Sequence, residues 1–327
     1  MTTTRRSLFA MTGAGLTLAA IGPVAAQTYP TRLIKIVAPF PAGGPTDVVA
    51  RLMADELSTA LGQPVMVENR PGGAGGTLGV RVVAGADPDG YTLLLSNLGS
   101  LTITPSIYRN LDYDPIRSFA PIAILTASPM VLVVNPAVPA NSMQELVAYA
   151  KANPGKINFA SPGVGTQPHI LGELFKSTCG IDILHVPYRG AAAAITGLLA
   201  GQVQVYFETT TVLLAHIEAG TMRPLAVLSA ARFPLLPAIP TSTESGFPTL
   251  KATLWSGMLA PAGTPRAVLE KLNAAINDGL RSADMQVTLK KLGAEARGGT
   301  SQEFAAFLAS EVQRWAAIIA ATRIKPE

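Results

Sequence analysis

With one cysteine, Cys179, the chain cannot form an internal disulfide. Its stability has to come from a packed core, and a sequence that is 48% hydrophobic and 14% charged has ample material for one. The three histidines, His169, His185 and His216, lack zinc spacing, and no Asp/Glu cluster has the spacing of a metal loop, so neither a metal nor a cofactor is expected. Charge of one sign is also lacking. Without residues 1–26, 23 basic residues face 21 acidic ones, which leaves no basic footprint for nucleic acid. Beyond the N-terminus, Gly, Pro or charge breaks every apolar run before it reaches membrane-spanning length, so permanent membrane insertion is not expected.

What is present begins with an export signal. Arg5 and Arg6 precede an apolar, small-residue stretch over 8–20, and Val24-Ala25-Ala26 supplies small residues for cleavage before Gln27. The pair Arg5-Arg6 followed by Ser7-Leu8-Phe9 also resembles a twin-arginine signal. The expected destination is the periplasm, with residues 1–26 removed and two medium-sized domains in the remaining chain.

Short β-branched runs at 34–37, 65–67 and 92–95 alternate with helical patterns at 46–61 and 78–84. That alternation predicts a parallel sheet with crossover helices. The rhythm restarts after a strand at 130–134: helices at 142–152, 166–177, 191–199 and 211–219, and strands at 157–160, 183–186, 203–207 and 225–228. Ser142 and Glu145 form a capping box at the first of these helices. A Pro/Ser/Thr-rich loop over 230–247, a strand at 255–259 and helices from 265 and 301 complete the chain. The terminal helices cannot form a third domain alone and are expected to return to the first. The predicted division is therefore 27–127 plus 251–327 for one domain and 128–250 for the other.

Three glycine-rich segments follow strand candidates: Pro39-Phe40-Pro41-Ala42-Gly43-Gly44-Pro45-Thr46-Asp47, Arg70-Pro71-Gly72-Gly73-Ala74-Gly75-Gly76-Thr77 and Ser161-Pro162-Gly163-Val164-Gly165-Thr166-Gln167. In an open α/β sheet, ligands sit beyond the carboxyl ends of the strands. A loop leading into a helix presents unpaired N–H groups and the positive end of the helix dipole to an anion, and glycine allows close backbone approach. The competing reading is that these glycines only make tight turns. No loop ends in the Lys-Ser/Thr of a phosphate-binding loop, and Pro168 stands where a dinucleotide motif needs its third glycine. A carboxylate suits such loops better than a polyphosphate. Catalysis is poorly supported: Ser161 lies outside a Gly-x-Ser-x-Gly elbow, His169 is one turn into a helix, and Cys179 reads as a small packed residue.

Six motifs, in order, carry a resemblance: Ala38-Pro39-Phe40-Pro41-Ala42-Gly43-Gly44, Val67-Glu68-Asn69-Arg70-Pro71-Gly72, Pro88-Asp89-Gly90-Tyr91-Thr92-Leu93, His185-Val186-Pro187-Tyr188-Arg189-Gly190, Leu199-Ala200-Gly201-Gln202-Val203 and Pro261-Ala262-Gly263-Thr264-Pro265. Over the whole chain after the signal, they resemble the Bug substrate-binding proteins of the tripartite tricarboxylate transporters. The resemblance implies a two-domain periplasmic binding protein of type II-like form, with two Rossmann-like α/β lobes joined by a two-strand hinge and closing on a ligand. It also implies that the ligand carboxylate meets the loop over 41–46 through backbone groups and ordered water, that the protein works as a monomer, and that it delivers its ligand to membrane permease subunits. The candidate ligand-binding set is Phe40, Pro41, Ala42, Gly43, Gly44, Thr46 and Asp47 from the first loop, with Ser96 and Asn97 after the third strand candidate. Ser161, Gly165, Thr166, Gln167, His169, Arg189, Phe207 and Glu208 complete it.

Departures from the family pattern fall where specificity is expected. Glu208 stands where many relatives have Asp, Thr77 where Asn is frequent, and Arg189 where Lys is frequent. Glu208 would favour an amine if it points inward, whereas the simpler expectation is a solvated strand end. Aliphatic dicarboxylates, amino-acid dicarboxylates, aromatic carboxylates and nicotinate-like acids all remain open as ligands. Besides uptake, two alternatives use the same fold: a sensor presenting its ligand to a receptor kinase, and a periplasmic hydrolase.

Overall fold

A computed structural model describes residues 29–108 and 111–322, so the segment read as an export signal lies outside the described residues. The first strand, β1 (Ile34–Ala38), is buried at every position but Lys35. Layers cover both of its faces, which is why it reads as a continuous apolar run. Helix α1 (Pro45–Leu61) opens with proline and ends at Gly62, whose left-handed conformation lets its N–H close on Ser58 O. Then come β2 (Val65–Asn69), α2 (Thr77–Ala84) and β3 (Thr92–Asn97). A π-helical turn at Gly99–Ile103 leads into α3 (Thr104–Ile107).

The next strand, β4 (Phe119–Val134), runs for 16 residues, of which the sequence pattern predicts only the last five. Pro121 and Pro129 interrupt the strand signature, and the ladder shifts register at Pro121/Ala123 and at Ile124/Thr126. After it come α4 (Met143–Ala152), β5 (Asn158–Ser161), α5 (Gln167–Cys179), β6 (Leu184–Pro187) and α6 (Ala191–Leu199). The order continues with β7 (Val205–Thr209), α7 (Thr210–Glu218), β8 (Arg223–Val227) and β9 (Thr253–Pro261). The chain finishes with α8 (Arg266–Arg281), α9 (Ala283–Lys291), β10 (Glu295–Gly298) and α10 (Ser301–Thr322).

One sheet runs through the molecule in the order β2-β1-β3-β9-β4-β7-β5-β6, with β8 and β10 also pairing with β4. Two parallel trios, β2-β1-β3 and β7-β5-β6, match the expected crossover pattern. The all-parallel expectation fails at the centre, because β9 is antiparallel to both β3 and β4, and β4 is antiparallel to β7. The fold is thus two α/β lobes sharing strand β4, whose residues 119–129 pair with β9 and whose residues 130–134 pair with β7 and β8. Where the chain passes between lobes, Leu228 donates to Met130 O (2.7 Å), Met130 to Ala252 O (3.3 Å) and Ala252 to Leu228 O (2.7 Å).

The terminal helices cover the first lobe. Leu272, Ile276 and Leu280 of α8 join Ile34, Ile36 and Leu57 in one core, while Phe304, Leu308 and Trp315 of α10 pack with Leu94, Leu259 and Trp255 in another. In the second lobe, Phe159, Phe175, Val205 and Cys179 share a core. Burial pushes the Cys179 thiol up to about 11, in keeping with a packed rather than a reactive cysteine.

Candidate ligand site between the lobes

Three helices begin against one cavity. Gly44, Pro45 and Thr46 come from the start of α1, Thr166, Gln167 and Pro168 from the start of α5, and Gly190 and Ala191 from the start of α6. Each helix follows a parallel strand, so the cavity lies beyond strand carboxyl ends. Phe40, Pro41, Asn97, Gly99, Pro162, Met130, Leu254 and Glu208 complete the wall. The space open to the centre of a water molecule is about 40 Å³. The first N–H groups of each helix have no intrahelical acceptor, and their dipoles favour an anion. Among the described residues no lysine, arginine or histidine lines this wall, and Glu208 is its one ionisable side chain.

The loop between β1 and α1 is held in shape by Asp47. Its carboxylate accepts from Gly43 N (2.9 Å), Arg51 Nε (3.0 Å) and Asn69 Nδ2 (2.9 Å). Burial opposes ionisation of this group, but hydrogen bonds from Arg51, Gly43 and Asn69 outweigh it and hold the carboxyl below its ordinary range. Asn97 ties the lobe's second loop to the first: its Nδ2 donates to Thr46 Oγ1 (2.8 Å) and its Oδ1 accepts from Gly99 N (2.9 Å).

On the other side, the Thr166 hydroxyl donates to Gly163 O (2.6 Å), so its proton is committed within its own loop. His169 Nδ1 accepts from Gly165 N (3.2 Å), and its ring stacks on His185 at 4.1 Å. Ser161 Oγ lies 2.7 Å from His185 Nε2, a pairing that sequence spacing does not reveal. Burial lowers His185 to about 4.

Of the sequence-predicted set, the structure brings Phe40, Pro41, Gly44, Thr46, Asn97, Thr166, Gln167 and Glu208 to the cavity wall. Arg189 is exposed at a wider mouth with residues 72–76 and Tyr188. Ala42 and Gly43 sit on the outer side of the loop, and Asp47, Ser96, Ser161, Gly165 and His169 spend their polar atoms inside the protein. Phe207 points into the second lobe's core, edge-on to Phe175 at 5.6 Å. Pro45, within the loop over 41–46, also reaches the wall, and wall residues outside the candidate set are Gly99, Met130, Pro162, Pro168, Gly190, Ala191 and Leu254. The helix-start rule could have found Gly190 and Ala191, whereas Met130 and Leu254 arrive through the crossing strands and carry no local signal.

Glu208 requires a correction. The expected solvated strand end is instead 2% exposed and faces the cavity. Its Oε2 accepts from Tyr206 Oη (2.7 Å) and its Oε1 from Thr209 N (2.9 Å), while burial pushes its carboxyl up to about 7.

The lobes touch at the mouth. Gly75 N donates to Val164 O (3.0 Å), and a Cβ added at Gly190 would meet Pro41 Cγ at 3.0 Å. Both glycines have positive φ, 59° and 106°, so a side chain there is disfavoured by backbone as well as by space. Among the described residues no cluster of His, Cys, Asp or Glu could hold a metal ion, and no helix is long and apolar enough to cross a membrane.

Known proteins share this fold. The model of the tripartite tricarboxylate transporter family receptor matches residues 49–324. Protein BugT of Bordetella pertussis is 39% identical over 320 residues, which cover 97% of this chain and 98% of that protein. The solved periplasmic binding protein BugD is 38% identical with a TM-score of 0.87, covering 91% of this chain and 100% of its own. An R. palustris protein solved with adipate is 34% identical with a TM-score of 0.88 over the same shares. The chain therefore belongs to the tripartite tricarboxylate transporter receptor family, the Bug periplasmic solute-binding proteins, and is not an enzyme.

Proposed function

We propose that the protein captures a small organic carboxylate between its lobes and delivers it to the permease subunits of a tripartite tricarboxylate transporter. The observation that carries this reading is the convergence of three helix starts, from both lobes, on one cavity that has no cationic side chain among the described residues. An anion held there is neutralised by N–H groups and dipoles in a confined, poorly screened space. The relative solved with adipate supports the carboxylate class. In this reading the lobes comprise residues 27–127 plus 251–327 and residues 128–250, and they open by bending at 128–130 and 250–253. The protein acts as a single chain after export and removal of residues 1–26.

A thermal-shift panel of small carboxylates and their uncharged amides tests the binding. A matching acid at a hundredfold excess over its Kd should stabilise the fold by about 2.7 kcal/mol, and its amide should not. Equal stabilisation by acid and amide would overturn the anion site. Deleting the permease subunits should abolish uptake; uptake that persists, with loss of a ligand-triggered transcriptional response in a strain lacking the binding protein, would assign the protein to sensing.

A further inference from the structure

The cavity wall has a second polarity that a simple carboxylate does not use. Glu208 is buried, lines the cavity, and takes the Tyr206 hydroxyl on one oxygen and the Thr209 N–H on the other, with the Thr209 side chain beside it; the four lone-pair sites of a carboxylate still leave acceptor capacity. Gln167 lines the same cavity and is 1% exposed, and its Oε1 has no hydrogen-bond partner. Its Nε2 faces Thr253 O at 3.4 Å, so exchanging the two amide atoms would set oxygen against oxygen; the acceptor is the atom left over. Two buried acceptors without enough donors call for a donor-rich group in the ligand.

We infer that the ligand is an amino-carboxylate with an apolar body, whose ammonium group is held by Glu208 and Gln167 Oε1 while its carboxylate lies at the helix starts. This rests on the carboxylate-capture reading and narrows it. Three observations converge on it. An ammonium offers three donors to the two acceptors and pairs with a carboxylate that otherwise has no cation on the cavity wall. A second carboxylate in that position would place like charges together in a confined space. Between the two polar ends, Met130, Leu254, Phe40 and Pro162 offer only apolar contact, which suits an unsubstituted hydrocarbon body.

The test is titration calorimetry with matched skeletons: 4-aminobutanoate, butanoate and succinate; 6-aminohexanoate, hexanoate and adipate; leucine and 4-methylpentanoate. In the wild-type protein at least one aminocarboxylate should bind about tenfold or more tightly than its des-amino and diacid counterparts. Glu208→Gln should bring the ratio of aminocarboxylate to des-amino affinity down from tenfold or more to about one. Circular dichroism checks that the variant is folded. Gln167→Leu, which removes the unpartnered oxygen and leaves Glu208 in place, should reduce the preference by a smaller factor. The inference is overturned if a diacid binds tightest to the wild-type protein, or if both variants keep the wild-type ratio. Those outcomes leave carboxylate capture standing. Failure of every acid, or equal binding of acids and their amides, sinks the carboxylate reading instead, so the two failures are distinguishable.

Discussion

Asp47 and Glu208 are both buried carboxylates, one in each lobe, at 3% and 2% exposure, yet they are opposites in chemistry. Asp47 is saturated by the protein itself, with Arg51, Gly43 and Asn69 all donating to it. Glu208 has only Tyr206 and Thr209, and no cation beside it. One is therefore held below the ordinary carboxylate range and the other is raised to about 7. Burial alone does not distinguish a binding group from a structural one. The useful quantity is the acceptor capacity that the protein leaves unsatisfied, and by that measure Asp47 shapes the loop while Glu208 waits for a donor.

The largest expected effect comes from breaking the saturated carboxylate. Asp47→Ala leaves the Gly43 N–H without its acceptor and the Asn69 amide with only Phe40 O, and should destabilise the protein by roughly 2–4 kcal/mol, with a parallel loss of affinity as the loop over 41–46 loosens. Chemical denaturation and calorimetry check both. If Asp47→Ala retains full affinity, the loop does not depend on this carboxylate for its shape, and the contrast with Glu208 collapses.

The contrast also predicts opposite pH slopes. A lowered carboxyl contributes stability that is present above its ordinary value, 3.8 for Asp47, and is lost as pH falls through the folded value. A raised one contributes in the other direction. Below 4.5 Glu208 is protonated in both folded and unfolded states, and as pH rises through about 7 the unliganded protein loses stability relative to its acid form. The interval between 4.5 and about 7 corresponds to roughly 3 kcal/mol, an upper bound for Glu208→Gln at pH 8. Unfolding measured from pH 4 to pH 8 should show the variant gaining on the wild-type protein as pH rises. A constant difference would mean that Glu208 does not titrate in that window.

Much of this contrast was hidden in the sequence, and for a physical reason. The glycine-rich loops and the alternation of strands and helices were legible because turns and periodicity are local, and both parallel trios followed from them. β7 is buried at all five positions, so the period-2 pattern that would tell which way Glu208 faces is absent. Only the cover supplied by neighbouring elements sets its direction. The first half of β4 was masked by its prolines, and β10, with Glu295, Arg297 and Gly298 in four residues, has no strand signature at all. Met130 and Leu254 enter the site only because two segments far apart in sequence cross side by side.

Thr166→Val should act through loop geometry. Since its hydroxyl donates to Gly163 O, it cannot donate to a ligand carboxylate at the same time, and the change removes one hydrogen bond within the loop. A loss of roughly 1 kcal/mol in stability is expected, with affinity following only as far as the loop relaxes. A large affinity loss at unchanged stability would instead give the hydroxyl a direct role in the ligand site.

The smallest effect is expected at Arg189. It lies exposed at the mouth, outside the cavity wall, so its field reaches a bound anion through solvent. Raising the salt from about 0.05 M to about 0.5 M shortens the screening length from roughly 14 Å to 4 Å. That removes most of what an exposed guanidinium contributes while barely touching N–H groups in direct contact with the ligand. Arg189→Ala should therefore lower affinity less than about threefold at low salt and not measurably at high salt. Titration calorimetry of both proteins at the two salt concentrations decides the point. Abolished binding in Arg189→Ala, or a steep salt dependence in the wild-type protein that the variant lacks, would show that the anion is held by an ion pair. The helix starts would then be secondary, and the division of labour between a neutral anion site and a charged Glu208 would have to be reversed.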